Sequence, residues 1–373
     1  MNDMGGCILL HRQFVERDDF EVFVVTDRRD FTSDSIPHLL CGHPAWLQRL
    51  MRSRLALFAH DYAHLCGGLR IPAAIMAAAR EFRPDVVMMG AETWLADIAA
   101  RVARRLRVPL AGHFMDWPSF AALGHGWAKK RLSARFRWRY RQCDLAFGIC
   151  PEMLEALGPH PNAHVFYPAG NRPAVAPSGK GLGRNAPFTV LFAGNLGQWY
   201  GLMLASLAAQ LRSERDIRLR IAGGNASWGA AVEADLRRDG VFLGLLKGED
   251  YQKVYHDCDA LLLAMGFEPD GRLIESTSFK SKLADYLTSG RPLVVWGPEY
   301  CTAVRHARRE DFAEVVTTEN PAAVVAAFRK IARDPARAAQ LVAHGQRFWA
   351  ENLDAEKVMP RACEAIRSLV LPV

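Results

Sequence analysis

"LFAGNLGQWYG", residues 191–201, joins an apolar run to a glycine-containing turn and then to a helical stretch. Glycine lets the backbone approach an anion closely, and a helix N-terminus carries about half a positive charge. The turn Gly194-Asn195-Leu196-Gly197 therefore suits a diphosphate. The plainer alternative is that a tight turn between a strand and a helix needs glycine for its shape alone.

The same order of a short apolar run and a helical stretch recurs along the chain. This alternation is typical of a parallel sheet with crossover helices, and 373 residues favour two cores over one. We predict an α/β protein of two Rossmann-like domains that face each other across a cleft. The predicted strands lie in residues 20–26, 85–92, 108–114, 144–150, 163–170, 188–197, 217–224, 241–246, 259–265 and 291–297.

Residues 171–187, "NRPAVAPSGKGLGRNAP", are rich in Pro, Gly and basic side chains and separate the two series of strands. We predict a first Rossmann-like domain over residues 1–175, a linker over 176–187 and a second Rossmann-like domain over 188–350. Residues 351–373 have a helical pattern and can pack back on the first domain.

The amino-acid composition indicates which kind of partner the protein binds and in which cellular compartment it is expected. The formal charge of +7 favours anionic partners. The eight cysteines show no C-x-x-C spacing, which predicts reduced thiols and no metal site. Because no signal peptide and no run of eighteen apolar residues are present, we expect a cytoplasmic protein.

A second chemical cluster lies in residues 276–297, "STSFKSKLADYLTSGRPLVVWG". Lys282 and Asp285 stand three residues apart and therefore share one face of the predicted helix. Lysine supplies a point charge for phosphate, and a carboxylate one turn further can bind ribose hydroxyls. The alternative is an ordinary surface ion pair.

Four stretches together resemble the donor half of a GT-B glycosyltransferase of family 4 and related polysaccharide-assembly transferases. They are "VLFAGNLGQWYGL", "LRIAGGNASW", "VFLGLLKGEDYQKVYHDCDALLLAM" and "SFKSKLADYLTSGRPLVV". The resemblance covers residues 188–373 well and the first half loosely. It implies that residues 1–175 bind the acceptor and that residues 188–350 bind the donor. GT-B chains normally open with a strand before a Gly-rich loop, whereas Gly5-Gly6 stand almost at the start here, so the first sheet is expected to be one strand short or the start truncated. The resemblance implies transfer of a sugar from a nucleotide diphosphate sugar, with a UDP-sugar as the expected donor, without a cofactor or a metal ion.

The resemblance also implies site residues. Lys282 matches the basic residue near the donor diphosphate, and Asp285 matches the ribose-binding second glutamate of the E-x7-E motif. Thr277 stands at the position of the first glutamate, with Glu275 two residues away, and Lys280 replaces the proline of an "S-x-P-x-K-L-x-E-Y-L" variant. The expected donor-binding residues are Gly194, Asn195, Leu196, Gly197, Leu245, Leu246, Glu275, Ser281, Lys282 and Asp285.

The best candidate for a general base is Asp116 in "VPLAGHFMDWP". It follows a predicted buried strand, at the edge where an acceptor hydroxyl needs a carboxylate. Its position resembles that of the base of xanthan-type inverting transferases, whereas His113 resembles the histidine of retaining family 4 members. Asp116 can instead be a turn or cap residue before Trp117, and Glu92 is a second carboxylate at a strand end.

Two acid-free basic segments, residues 43–60 and 117–143, predict a surface for an anionic membrane. In the second, an apolar stripe of Leu132, Phe136 and Tyr140 predicts a helix whose lysines and arginines, Arg139 included, lie outside. The expected membrane or acceptor surface comprises Trp46, Arg49, Arg52, Lys129, Lys130, Arg135 and Trp138. The alternative is a solvated basic face, and no nucleic-acid-binding motif accompanies the charge.

These observations predict a peripherally membrane-associated cytoplasmic glycosyltransferase with a polysaccharide or lipid-linked glycan as acceptor. Two other functions stay open. One is a nucleotide-sugar 2-epimerase, which shares the architecture. The other is a non-catalytic scaffold that binds glycans or membranes.

Overall fold

The computed structural model describes residues 10–15, 17–29, 31, 33, 36–118, 124–170, 187–197, 199–246 and 248–370. The chain forms two compact units, which are described separately below. Unit 1 comprises residues up to Ala169, the short segment Thr277–Phe279, and the chain from Ala355 onward. Unit 2 comprises Gly170–Ser276 and Lys280–Asp354. The expected linker falls mainly in residues 171–186, and these and Gly5-Gly6 lie outside the described residues.

Unit 1 is built around a parallel sheet in the order β3-β4-β5-β6, with a separate parallel pair β1-β2. Its strands are β1 (Val24–Thr26), β2 (His38–Leu40), β3 (Val87–Gly90), β4 (Leu110–Phe114), β5 (Leu145–Gly148) and β6 (Ala163–Val165). Its helices are α1 (Ala45–Leu50), α2 (Ala56–Cys66), α3 (Ala73–Phe82), α4 (Leu95–Leu106), α5 (Gly126–Gln142) and α6 (Pro151–Leu157), with a π-helical turn at His11–Val15.

The last helix of the chain, α15 (Ala355–Arg367), is part of unit 1. Its apolar side chains, among them Val358 and Met359, pack in one cluster with Phe14, Phe147 and Phe166. Removal of a large aromatic side chain from water stabilises a fold by about 2 kcal/mol, so this helix is an integral part of the core.

Unit 2 contains a six-stranded parallel sheet in the order β12-β11-β10-β7-β8-β9. The strands are β7 (Phe188–Ala193), β8 (Ile217–Ala222), β9 (Phe242–Gly244), β10 (Ala260–Ala264), β11 (Leu293–Trp296) and β12 (Ala313–Val316). The helices are α7 (Trp199–Leu211), α8 (Ala230–Arg238), α9 (Gly248–His256), α10 (Arg272–Thr277), α11 (Lys282–Tyr286), α12 (Thr302–Glu310), α13 (Pro321–Arg333) and α14 (Pro335–Asn352).

The strand order of unit 2 is that of a doubly wound Rossmann sheet. From β7 the chain builds outward through β8 and β9, and it then crosses back to place β10 on the other side of β7. The carboxyl ends of β7 and β10 therefore mark the point where the winding direction reverses. The core beside this point is apolar, since β7 and β10 contribute Val190, Phe192 and Leu262.

The basic helix α5 differs from expectation at one residue. Leu132, Phe136 and Tyr140 are buried as the stripe predicts. Arg139, however, was expected outside and is only 2% exposed. Its guanidinium donates to Asp97 Oδ1 at 2.9 Å and to the carbonyl of Ala91 at 2.6 Å, and this pairing makes burial of its charge tolerable.

Two strands, β2 and β12, were not among the expected ones.

Within the part of the chain that the structure describes, no helix is both long and apolar enough to cross a bilayer.

Candidate active site

The turn after β7 lies at the reversal point of the unit 2 sheet. In doubly wound sheets, ligands bind at the carboxyl ends of the strands beside this point, because the loops on either side diverge there. Gly194 follows directly on Ala193, the last residue of β7, and α7 begins at Trp199. The structure thus presents residues 194–197 where a ligand is expected from topology alone.

Hydrogen bonds within the protein fix the shape of this turn. The amide of Gly194 donates to the carbonyl of Ala222 at 2.8 Å, and that of Leu196 donates to Gly224 at 3.0 Å. The Asn195 side chain accepts from the amide of Gly197 at 3.0 Å. These three amides are already bonded, whereas the amides in the first turn of α7 have no intrahelical acceptor and can donate to an anion.

Two features favour glycine at position 194, namely its backbone conformation and the close approach of Lys282. Its φ of 150° is rare for other residues, and a Cβ there would lie 1.7 Å from Lys282 Nζ. The ammonium therefore lies directly against the turn. The sequence stretches around residues 194 and 282, almost ninety positions apart, meet in the folded unit.

Burial changes the acid–base behaviour of Lys282. The side chain extends from the start of α11, and Nζ lies 4.4 Å from the centroid of the Phe192 ring. Desolvation, with a smaller contribution from the positive charge of Lys280, lowers the pKa of Lys282 to about 7. An anion bound beside Nζ would favour the charged form, so this amine is poised to respond to phosphate.

The neighbouring strand β8 ends in a similarly close backbone contact. A Cβ on Gly223 would lie 1.8 Å from the carbonyl oxygen of Gly194, and the Gly223 amide donates to Gly244 at 2.8 Å. Leu245 follows Gly244 and is 58% exposed, with a methyl group beside Gly224. Leu246 is partly buried. The exposed face of Leu245 is suited to an aromatic ring.

The other expected donor residues have different surroundings. Glu275 is 0% exposed, and its carboxylate is bound by Tyr200 and Lys280. Leu196 is buried, so it offers no side chain to a ligand. Ser281 is partly buried before α11, and Asp285 is exposed on that helix.

In unit 1, two carboxylates meet at the carboxyl ends of adjacent strands. Glu92 follows β3 and Asp116 follows β4. Glu92 Oε1 accepts from the amide of Met115 at 2.7 Å and from that of Asp116 at 3.3 Å. Burial, reinforced by the charge of Asp116, raises the pKa of Glu92 to about 7, although the hydrogen bonds from Met115 and Asp116 oppose this.

The loop that carries Asp116 is anchored on both sides. Asp116 Oδ1 accepts a short hydrogen bond from the hydroxyl of Ser278, which belongs to the same unit. The next residue, Trp117, is buried and donates to Ser133 Oγ at 3.0 Å. Asp116 itself stays partly exposed. A fixed, solvent-accessible carboxylate is the geometry that a general base requires.

His113 lies deeper. It is fully buried in β4, and its ring centroid is 5.4 Å from that of Phe166. Burial lowers its pKa to about 4, so the imidazole is neutral at physiological pH. Its surroundings are those of a core residue.

Residues 187–334 match the family model of glycosyl transferases group 1. No curated protein sequence matches the chain.

Among solved structures, HepE from Anabaena in complex with UDP is 16% identical, with a TM-score of 0.63 over 89% of this chain and 86% of HepE. Sucrose-phosphate synthase from Thermosynechococcus elongatus is 14% identical, with a TM-score of 0.62 over 93% and 88% of the two chains. The pneumococcal O-GlcNAc transferase GtfA is 13% identical, with a TM-score of 0.56 over 80% and 60%.

The chain has the GT-B glycosyltransferase fold. The resemblance inferred from the four sequence stretches and the α/β class are thereby confirmed. The matched residues 187–334 of this GT-B protein include the turn after β7, the end of β9 and Lys282, whereas Glu92 and Asp116 lie outside the match.

The expected membrane surface of the GT-B protein lies on α1, on the turn that follows α1, and on α5. Trp46 and Trp138 are 55% and 40% exposed, and Arg49, Arg52 and Lys130 are exposed as well. Lys129 is partly buried. Arg135 differs more, because its guanidinium bonds to Asp97 at 3.2 Å and to the carbonyl of Leu65 at 2.6 Å.

Between α2 and α5 runs an apolar groove made of two adjoining cavities of 600 Å³ and 380 Å³. Exposed Phe58, Tyr62, Leu69 and Trp127 contribute to its walls. Arg131 lies over the ring of Trp127 at 5.3 Å. Monomeric proteins rarely expose so many large apolar side chains together, and such patches mark contact surfaces.

Three polar residues that contact the candidate site of the GT-B protein were not expected as site residues. They are Tyr200, Ser278 and Lys280, of which only Lys280 had been noted, as a departure from the motif. Their partners are distant in sequence, 75 residues for the pair of Tyr200 and Glu275 and 162 for that of Ser278 and Asp116. Only an expectation of which loops meet at the strand ends could have suggested them.

Within the described residues no group of three or more His, Cys, Asp and Glu side chains is placed to hold a metal ion. Independence of metal ions stays a prediction.

Proposed function

We propose that this GT-B protein transfers a hexosyl group from a UDP-sugar to a hydroxyl of a polysaccharide or lipid-linked glycan, without a metal ion. The observation that carries the proposal is the contact of Lys282 Nζ with Gly194 at the reversal point of the unit 2 sheet. HepE structures contain UDP and UDP-glucose, which supports a uridine nucleotide as the donor.

Lys282 has the properties that stabilisation of a leaving diphosphate requires. Its ammonium is partly buried beside an apolar ring, where an electrostatic interaction is stronger than in water. The N-terminus of α7 adds its partial charge on the other side of the turn. Charge that develops on the leaving oxygen therefore meets donors that are already in place.

Asp116 is the proposed general base for the acceptor hydroxyl. Its amide and carboxylate are held by Glu92 and Ser278, so the side chain needs no reorganisation to receive a proton. The neutral, buried His113 makes the weaker candidate for contact with a sugar. This arrangement favours an inverting reaction with Asp116 as base.

An anionic membrane leaflet is the proposed partner of the α1, α2 and α5 face. The exposed aromatic side chains of this face can insert at the interface, while Arg49, Arg52 and Lys130 supply attraction of about 1 kcal/mol each. The two acidic residues that line the groove, Asp61 and Asp97, are already paired with His125 and with arginines. A cytoplasmic enzyme bound in this way would reach a lipid-linked acceptor.

The activity test compares two variants over a panel of UDP-sugars and acceptors. Lys282→Ala is expected to lose transfer and to bind UDP about a hundredfold more weakly, since a charge-assisted contact is lost. Asp116→Asn is expected to lower kcat about a thousandfold with unchanged UDP affinity. Calorimetry and a coupled UDP-release assay measure both quantities.

Other results would point to other functions. Formation of an epimer from UDP-GlcNAc alone would identify the 2-epimerase. UDP binding with no turnover on any acceptor would identify a scaffold. Full turnover of Asp116→Asn would remove that residue from the mechanism.

The membrane proposal is tested with vesicles of phosphatidylcholine with and without phosphatidylglycerol. Binding is expected only with the anionic lipid, and salt should weaken it. The double variant Trp46→Ser/Trp138→Ser should bind about tenfold more weakly, because interfacial burial of two aromatic rings is lost. Val232→Ser, which alters an exposed apolar residue of α8, is the control.

A further inference from the structure

A buried polar cluster in unit 2 joins the two segments that form the candidate donor site. It consists of Tyr200 in the first turn of α7, Glu275 in α10, and Lys280 two residues before Lys282. The turn 194–197 leads into α7, and Lys282 begins α11. The cluster is therefore placed to hold the turn and the lysine in a fixed relation.

The three side chains satisfy one another. Glu275 Oε1 accepts from the Tyr200 hydroxyl at 2.5 Å, and Oε2 lies 3.1 Å from Lys280 Nζ. Lys280 Nζ also donates to the Tyr200 hydroxyl at 3.4 Å. A buried carboxylate without such partners is strongly unfavourable, so the three groups are held together.

We propose that Glu275 is a positioning residue of the donor site, which orients Lys282 through Tyr200 and Lys280 and offsets the charge of Lys280 beside it. This inference rests on the proposed function, in which Lys282 receives the donor diphosphate. It assigns to Glu275 an indirect role, since its carboxylate is 0% exposed and already bound on both oxygens.

If Glu275 offsets the charge of Lys280, removal of Glu275 should change the pKa of Lys282, which a purely structural cluster would not do. Lys280 is the charged group that, after burial, contributes to the lowered pKa of Lys282. Glu275 lies against Lys280 and carries the opposite charge, so it weakens the field that Lys280 exerts on Lys282. Other titratable groups on the surrounding elements include Asp285 and Tyr286 of α11, Tyr200 of α7, Arg272 of α10, and Tyr251 and Tyr255 of α9, of which Tyr255 contacts Tyr286.

Lys280 is a departure from the motif that this segment resembles. Lys280 stands where the variant motif that the segment resembles has proline, which has no charge and no side-chain donor.

The test is the pH dependence of UDP affinity in charge variants, measured by calorimetry from pH 6 to pH 9, with uridine as the ligand without phosphates. Glu275→Gln should weaken UDP binding about tenfold at pH 7.5 and leave uridine binding unchanged. The loss of affinity at high pH should also begin at a lower pH, because Lys280 is no longer offset.

Lys280→Met should move that loss in the opposite direction, to higher pH, and Glu275→Gln/Lys280→Met should restore UDP affinity to near the wild-type value. Tyr200→Phe removes only one hydroxyl and should weaken UDP binding less than Glu275→Gln, so it serves if the latter does not fold. Lys253→Met, on the exposed face of α9, is the matched lysine control.

Shifts of the same sign in Glu275→Gln and Lys280→Met, or equal weakening of UDP and uridine, would overturn the positioning role. Normal UDP affinity in Lys282→Ala would instead overturn the proposed function, because the diphosphate would not lie at that lysine. The two failures are thus distinguishable in one set of titrations.

Discussion

Arg139 in unit 1 is buried and Lys282 in unit 2 is partly buried, yet the surroundings of the two cations differ. Arg139 is held by Asp97 and by the carbonyl of Ala91. Lys282 lies over Phe192 and against Gly194, and its Nζ forms no ion pair with a carboxylate among the described residues. A cation whose charge is balanced by the protein is structural, whereas one that no described carboxylate balances is ready for an anionic ligand.

Glu92 shows the same physical effect with the opposite sign. Desolvation raises its pKa to about 7 and lowers that of Lys282 to about 7. Both groups therefore change protonation near neutral pH, and both lie near strand ends, since Glu92 follows β3 and the Lys282 ammonium lies against the turn after β7. Perturbed titration at such positions is a mark of functional sites.

The largest effect is expected from removal of the balanced cation. Arg139→Leu leaves Asp97 and the Ala91 carbonyl without their buried donor, and it should lower the free energy of unfolding by about 3 kcal/mol. Urea denaturation measures this. Arg141→Leu, at an exposed position on the same helix, is the control and should change stability by less than about 0.5 kcal/mol. Equal effects would mean that the burial of Arg139 is unimportant.

Removal of the unbalanced cation should act in the opposite direction on stability. Lys282→Met keeps the aliphatic length but removes a charge that is costly to bury, so the ligand-free protein should melt about 3 °C higher at pH 7. The same variant should show almost no rise in Tm on addition of UDP. A lower Tm without ligand would show that the ammonium is compensated in the fold, as Arg139 is.

A smaller effect is expected from pH on the wild type. Diphosphate favours protonated Lys282, so binding takes up a proton once the free amine deprotonates above about pH 7. UDP affinity should be constant below pH 7 and fall by up to about tenfold per unit above it. Calorimetry in two buffers of different ionisation enthalpy detects the proton uptake. A flat profile from pH 6 to pH 9 would contradict the role of this lysine.

The smallest effect concerns Glu92. Its folded-state pKa lies above the ordinary value of 4.5, so the folded state holds an extra proton between these values and loses stability as pH rises through about 7. Glu92→Gln keeps an acceptor for the Met115 amide and removes this penalty. The variant should melt about 1.5 °C above wild type at pH 8 and at the same temperature as wild type at pH 4. A difference of the same size at both pH values would rule out titration as the cause.

The strands that the sequence predicts are those whose apolar runs are long or end in glycine. β7, with six consecutive residues in the sheet, is one of these. The sequence does not predict β2 and β12, because neither has a clear apolar pattern. β2 has three residues, two of them exposed, and β12 contains a glutamate. Such strands owe their pairing to a neighbour already in place, and local composition carries little of that information.

The residues of the candidate site also differ in whether the sequence predicts them. Residues on one turn or one helix, such as Gly194 and Lys282, could be named because spacing and motif identify them. Arg139 was placed wrongly, since a stripe of apolar residues says nothing of a distant Asp97 that can accept a guanidinium. The bonds of Tyr200 and Ser278 likewise depend on tertiary contacts between segments far apart in sequence.

Helix α15 has a consequence for biosynthesis. Its apolar residues complete the core around Phe147 and Phe166, yet they are translated after every residue of unit 2. While a ribosome makes the chain, the sheet of unit 2 can assemble as soon as its own strands emerge, whereas unit 1 must wait for the final helix. The half that is made first is therefore the half that matures last, and chaperone protection would matter most for the nascent N-terminal segment.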